Sequence, residues 1–223
     1  MQKFHTTGPV SAVLDIPAGN LRLIAADHAD TTVEVLPADA SENRDVRAAE
    51  RIEVTCADGV LRITAPEAKK RILGHSGAVE VTVQLPAGSP VEAKVAAGDL
   101  RGVGRLGDVV FEGAQATVKL DEVADARLVV AAGDVTVGRL NGAAEISTQK
   151  GDITVDEALR GTLRLRTEHG GITVGAARGV SASLDAGTAH GRVNNTLRNS
   201  DGASAALTIH ATTAYGDITA RSL

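Results

Sequence analysis

The 223-residue chain is long enough to bury a sizeable core, and 43% of it is hydrophobic while only 1% is aromatic, so Val, Leu, Ile and Ala must fill that core. A net charge of −5 argues against a phosphate-neutralising surface, and the lack of aromatic platforms argues against single-strand nucleic-acid binders and sugar binders. Twenty-four glycines point to many turns, whereas six prolines are too few for a disordered linker protein.

The opening residues, Met1 to Thr7, contain no apolar h-region or cleavage motif. No stretch approaches the roughly 18 apolar residues of a membrane span. The sequence as written therefore predicts a cytoplasmic protein without a membrane span.

Val10, Ala12, Leu14 and Ile16 alternate as in a strand with one buried face, and Pro17-Ala18-Gly19-Asn20 reads as a turn before Leu21 and Leu23 resume the pattern. Thr31 to Leu36 is rich in β-branched residues and predicts a third strand. Asp39 to Glu50 has no period-2 signal, and a short helix and a solvated loop both fit it. Ile52–Cys56 and Val60–Thr64 flank Asp58-Gly59, a hairpin cue, with a loop slightly longer than two residues expected. Cys56 is the single cysteine, which rules out an intrachain disulfide, and its inward-looking strand position assigns it to packing. Lys69, Lys70 and Arg71 form the one basic cluster and read as a solvated turn beside Glu67. Val79, Val81, Val83 and Leu85 alternate again until the Pro86–Pro90 stretch, the best candidate boundary.

Beyond residue 90 one phrase recurs: Gly-Asp followed by an apolar, a polar and an apolar residue. It appears at Gly98-Asp99, Gly133-Asp134, Gly151-Asp152 and Gly216-Asp217, with variants at Gly170-Gly171 and Gly191-Arg192. The double interval from 98 to 133 holds a degenerate copy, Ala116-Thr117-Val118-Lys119-Leu120, in which Thr117 replaces Asp. Upstream, Leu128 and Val130 align with Ala144 and Ile146, Leu163 and Leu165, Ala182 and Leu184, and Leu207 and Ile209. Such a period implies a repeat architecture, and the two longest units, at the end, read as terminal repeats. A meander of hairpins would place Gly-Asp at two-residue turns. A β-solenoid would make each unit a coil, stacking equivalent residues about 4.8 Å apart. The small inward side chains favour the solenoid, with Gly allowing positive φ at the corner and Asp bonding its own backbone there. An antiparallel sandwich or meander is the alternative. Residues 1–90 are expected to form a β-strand region continuous with the solenoid, and residues 91–223 about seven coils, together one structural domain.

The segments Ala131-Ala132-Gly133-Asp134-Val135, Lys150-Gly151-Asp152-Ile153-Thr154-Val155 and Tyr215-Gly216-Asp217-Ile218 resemble those of the DUF4097 family of candidate adhesins, the Toastrack-like β-strand repeat proteins. Ala12 to Gly19 and Val81 to Gly88 are similar to the same family. The resemblance implies a right-handed single-stranded β-helix and brings no catalytic residues with it.

Three constellations bear on chemistry. Stacked Asp134 and Asp152, with Asp99 beyond Thr117, offer oxygen ligands of the kind Ca²⁺ takes; because Thr117, Gly171 and Arg192 interrupt the column, turn capping is the preferred reading. The residues before each Gly form a second column, Ala97, Gln115, Ala132, Lys150, His169, His190 and Tyr215. It would make His169 and His190 neighbours, two zinc ligands with Glu168 as the nearest third. Asp121-Glu122 and Asp156-Glu157 are adjacent carboxylates, expected to point to opposite faces of a strand and so to form no acid–base couple. No phosphate loop, nucleophile elbow or zinc helix motif is present. The sequence therefore predicts a non-enzymatic interaction or scaffold protein, adhesin-like, with no assigned catalytic, cofactor or metal residues. Its expected partner is another protein or a second copy of itself, not nucleic acid. A polysaccharide-acting β-helix enzyme and a metal-binding sensor module are the alternatives.

Overall fold

In the computed structural model, residues 1–27, 29–66 and 77–223 are described. The basic cluster at Lys69, Lys70 and Arg71 lies outside them.

The strand periodicity of the first ninety residues produces six strands and one helix: β1 Gln2–His5, β2 Ser11–Ala26, β3 Asp30–Pro37, α1 Asn43–Arg51, β4 Glu53–Ala57, β5 Val60–Thr64 and β6 Val79–Pro86. From residue 91 the chain winds in two-strand coils. These are β7 Val91–Ala97 with β8 Leu100–Arg105, β9 Val109–Gln115 with β10 Val118–Val123, and β11 Ala126–Ala132 with β12 Val135–Leu140. The winding continues with β13 Ala144–Lys150 and β14 Ile153–Ala158, then β15 Gly161–His169 and β16 Ile172–Ala176. Last in the chain come β17 Ala182–His190 with β18 Val193–Thr196, and β19 Leu207–Tyr215 with β20 Ile218–Ser222.

Successive coils pair in parallel, which identifies a solenoid rather than a hairpin meander: Leu100, Val118, Val135, Ile153 and Ile172 stand in one register column. The column extends through Leu21 and Val81 on one side and Ile218 on the other. All eight side chains are 0–1% exposed. Burial of each such residue is worth about 1.5–3 kcal/mol, so stacked columns of aliphatic residues supply the core that aromatic residues would otherwise fill.

Spatial order departs from chain order at both ends. β2 bends at Gly19, pairing through Ser11–Ala18 with β5 and β7 and through Gly19–Ala26 with β6 and β8, so the N-terminal coil lies between two later ones. Pro17 to Asn20, expected as a turn, is thus a corner of the solenoid. Likewise β19 sits between β15 and β17, and β20 between β16 and β18. The last unit in sequence is therefore the penultimate coil in space, and the β17–β18 unit is terminal.

The two ends of the stack differ. At the first end, β4 pairs antiparallel with β5, β3 with β6 and β1 with β3. The β4–β5 loop is a two-residue turn, with Asp58 at φ 52° and Gly59 at φ 75°, shorter than expected, because Ala57 pairs directly with Val60. Of the two readings of Asp39–Glu50, the helix is observed. The buried Asp45 holds it in place, accepting from the Asp39 and Ala78 amides at 3.2 and 3.1 Å. At the second end, among the described residues, β17 pairs only with β19 and β18 only with β20.

Candidate functional site

The recurrent corner is built by backbone contact. At Gly151, φ is +146° and a Cβ would lie 2.1 Å from the Gly133 carbonyl oxygen of the adjacent coil; at Gly133, φ is +136° and the Ala116 oxygen would be equally close. Glycine is required there for space as well as for φ. Asp follows, and its carboxylate reaches across the coil spacing instead of back to its own turn. Asp134 Oδ1 accepts the Asp152 amide at 2.8 Å, Asp152 Oδ1 the Gly171 amide at 2.7 Å, and Asp217 Oδ1 the Arg192 amide at 2.8 Å. Asp99 accepts from the Thr117 amide at 3.2 Å, and Asn20 accepts from Asp99 at 3.3 Å. The expected local Asx turn is replaced because the next coil presents an unpaired corner amide nearer at hand. A residue whose successor is Gly171 or Arg192 loses nothing by that identity, since the bond goes to its backbone. Gly19-Asn20-Leu21 is one more member of the ladder, legible in its likeness to Gly98-Asp99-Leu100 but obscured by Asn.

A second ladder lies inside the same corner. The Thr167 hydroxyl donates to the Gly151 carbonyl, Thr213 to Gly170 and Thr188 to Gly216, each at 3.0 Å, and Thr148 to Gly133 at 3.4 Å. Thr148, Thr167 and Thr213 are buried. Each hydroxyl satisfies a carbonyl lone pair that would otherwise face the core. The sequence signal is Thr three residues before each of these coils' own corner glycines: Thr148, Thr167, Thr188 and Thr213 before Gly151, Gly170, Gly191 and Gly216. In earlier coils the same position is Ile16, Val95, Gly113 or Val130.

The column before the glycine runs Ala97, Gln115, Ala132, Lys150, His169, Tyr215, His190. His169 and His190 are thus not neighbours. The Tyr215 ring, 52% exposed, lies between them, stacked with centroids 5.0 Å from His169 and 4.6 Å from His190. Interposition of the C-terminal coil overturns the zinc pairing, because a single ion cannot bridge two imidazoles with an aromatic ring between them. Among the described residues, no group of three or more His, Cys, Asp or Glu side chains gathers in a metal-holding arrangement.

The adjacent carboxylates also depart from expectation. In each of these strands two successive residues interrupt the inward alternation, as at Asp121-Glu122 between buried Leu120 and Val123 and Asp156-Glu157 between buried Val155 and Ala158. The pairing register shifts at the same places. Neither member of either pair points inward, so the opposite-face assignment fails at this bulge. Neighbouring coils engage them instead: Asp121 pairs with Arg101 at 2.6 Å, Glu122 accepts from Asn141 at 2.9 Å and Glu157 pairs with Arg139 at 3.0 Å. On the other sheet's outer face Lys94 pairs with Glu112 at 3.0 Å and Arg127 with Glu145 at 3.8 Å. The hydrogen bond to Glu112, reinforced by its charge, raises the Lys94 pKa above its usual value. These charged side chains pair along the stack, from one coil to the next. Cys56 is half-buried and packs against the core.

The remaining feature is the open coil. Val193 occupies the register column of Ile218 and Ile172 but is 45% exposed, where its equivalents are 0–1% exposed. Leu184, Ala186 and Leu197 are only partly buried against the core. The solenoid's interior layer is therefore open at this end. Among the described residues no helix is long and apolar enough to cross a membrane.

Three solved structures are similar over nearly their full lengths. A candidate cell adhesion protein from Clostridium sporogenes is 16% identical, with 100% of this chain and 98% of that chain covered and a TM-score of 0.35. A candidate adhesin from Bacteroides fragilis is 14% identical, with 98% and 95% covered and a TM-score of 0.34. One from Parabacteroides distasonis is 16% identical, with 100% and 95% covered and a TM-score of 0.42. No curated protein matches the chain. The family profile described as Toastrack DUF4097 matches residues 13–222, from the first coil strand to the last. By that match over almost the whole sequence, the chain belongs to the Toastrack DUF4097 family.

Proposed function

We propose that this protein is a non-enzymatic interaction scaffold, adhesin-like in the sense of the similar structures' names, which makes its contacts through the open terminal coil. The observation carrying this reading is the contrast between the two ends of the stack. One ends in short antiparallel strands and a helix, whereas the other leaves most of the parallel edges of β17 and β18 and part of the core layer, with Val193 at 45% exposure, uncovered. Uncovered strand edges are ready templates for pairing, and natural solenoids ordinarily carry a polar cap at each end. Engagement of Asp121, Glu122 and Glu157 by neighbouring coils supports the non-enzymatic part. Incubation with a panel of acidic polysaccharides, with and without Ca²⁺, tests it. No turnover is expected; turnover that disappears in Asp121→Ala or Glu157→Ala would sink the scaffold reading in favour of a sugar-cleaving β-helix.

A further inference from the structure

The open coil also carries information about what covers it. We infer that it is covered by the same coil of a second copy of this chain, forming a closed end-to-end dimer; this rests on the interaction reading above and names its partner. Four observations converge.

The first is the number of edges. β17 and β18 lie in different sheets, and beyond Ala182, whose amide donates to the Arg198 carbonyl at 3.0 Å, both are edge strands. In the parallel pairing, the Ile218 amide donates to the Arg192 carbonyl and the Arg192 amide donates to Asp217. Strand alternation therefore turns the Val193 and Asn195 amides away from the stack. An extended peptide could satisfy one such edge; another coil presents two edges at the spacing of the two sheets.

The second is apolar. Val193 at 45% exposure, with partly buried Leu184 and Leu197, leaves part of a core layer uncovered. Nine residues of β17 span about 30 Å, and two sheets with their outward side chains are about 20 Å across. With the start of β17 taken by Arg198, the end offers roughly 500 Å² per copy, or about 1,000 Å² in total, the size a biological interface needs to clear.

The third is charge. The chain carries −5, but residues 180–206 balance Asp185 and Asp201 against Arg192 and Arg198. Two copies can meet at this end without the repulsion that their net charge imposes elsewhere. The fourth is the aromatic column: one face of the His190 ring stacks on Tyr215, and the other looks out of the open end, where a partner's ring would extend the stack.

The covered first end makes the assembly finite. An isologous contact between two open ends uses both of them, and the edges left at the first ends belong to the short strands β1 and β4, four and five residues long, which offer little to a further copy.

Sedimentation equilibrium of the full chain between about 1 and 100 μM, together with amide exchange at the Val193 and Asn195 positions, tests the inference. A mass approaching twice 22.8 kDa is expected, with protection of both amides rising in step. Val193→Lys should weaken association at least about tenfold, since each interface receives two facing ammonium groups. Leu36→Lys, at an exposed position on β3 of the covered end, should leave the mass unchanged. Matching circular dichroism spectra of the variants establish that the coil still folds. A monomer at 100 μM with concentration-independent exchange would overturn the dimer, as would a mass that grows without limit or unweakened association of Val193→Lys. None of these outcomes touches the polysaccharide assay, so failure of the dimer and failure of the scaffold reading remain distinguishable.

Discussion

Replacing Gly151 by alanine tests the corner most directly. The new Cβ would stand 2.1 Å from the Gly133 oxygen, 2.5 Å from its carbon and 3.0 Å from Asp134 Oδ1, on a backbone at φ +146°. Relief requires separating the coils locally by about 1 Å, against a strand spacing of about 4.8 Å. That movement stretches the Gly133 amide's bond to Lys150 and the Asp152 amide's bond to Asp134, both 2.8 Å. Neutral hydrogen bonds contribute about 1 kcal/mol and those to a carboxylate about 2, while the φ strain costs another 1–2 kcal/mol or so. A loss of about 5 kcal/mol follows, or roughly 10–20 °C in melting temperature for a chain of this size. Two controls separate the causes. Gly179 has φ +77° with nothing within 4 Å of a Cβ, so Gly179→Ala carries strain alone and should cost about 1–2 kcal/mol. Gly187 has neither strain nor a close neighbour, and Gly187→Ala should fall within about 0.5 kcal/mol of the parent. Thermal unfolding followed by circular dichroism ranks the three. Equal melting temperatures for the Gly151 and Gly179 variants would refute the claim that coil-to-coil approach selects glycine.

Thr167→Val keeps the shape that Val130 shows the column accepts but strips the donor from the Gly151 carbonyl; urea unfolding should register a loss of about 1–2 kcal/mol. Asp152→Asn retains an acceptor for the Gly171 amide and should cost less than about 0.5 kcal/mol, while Asp152→Ala removes the acceptor and should cost about 1–2; equal costs would mean that the carboxylate's charge, not its capping bond, matters. Ile153→Asp buries a charge in a fully enclosed column and should destabilise by several kcal/mol, so an unchanged melting temperature would contradict the inward assignment. The Asp30 carboxyl is held below its ordinary pKa of 3.8 first by the Lys3 side chain and then by His5, which tie β1 to β3. With the folded value depressed, this support is fully present above pH 3.8 and is lost as pH falls through the lower folded value. Amide exchange in β1 should accelerate over that acid range in the parent and show no such step in Asp30→Asn.

Much of the fold was legible because inward alternation has a period of two and the corner requires Gly. Val118, Val135, Ile153 and Ile172 align on the Gly-Asp phrase and are aligned in space. Thr117 was recognisable as the degenerate corner because the apolar positions around it persist. Further from that anchor the alignment slips. Leu128 stands beside Ile146 rather than Ala144, and Leu163 rather than Leu165 shares the column of Ile209 and Leu184. A slip of two residues keeps the same face inward, so apolar patterning cannot detect it. The Thr column is not legible in the sequence, because threonine on a strand reads as an ordinary β-former until its hydroxyl is seen beside a carbonyl.

The sequence by itself determined the strand faces, the place of each corner and the membership of each coil, since these depend on local alternation and on residues that only a tight corner tolerates. Tertiary structure decided which coil lies against which. Parallel backbone pairing accepts almost any aliphatic coil as a neighbour, and the segments joining the end coils are long enough to pass over one position. The N-terminal coil consequently lies between two later windings, and the C-terminal coil between two earlier ones. That choice placed Tyr215 between two histidines, gave each corner Asp its acceptor role toward another coil, and left β17 and β18 as the open end.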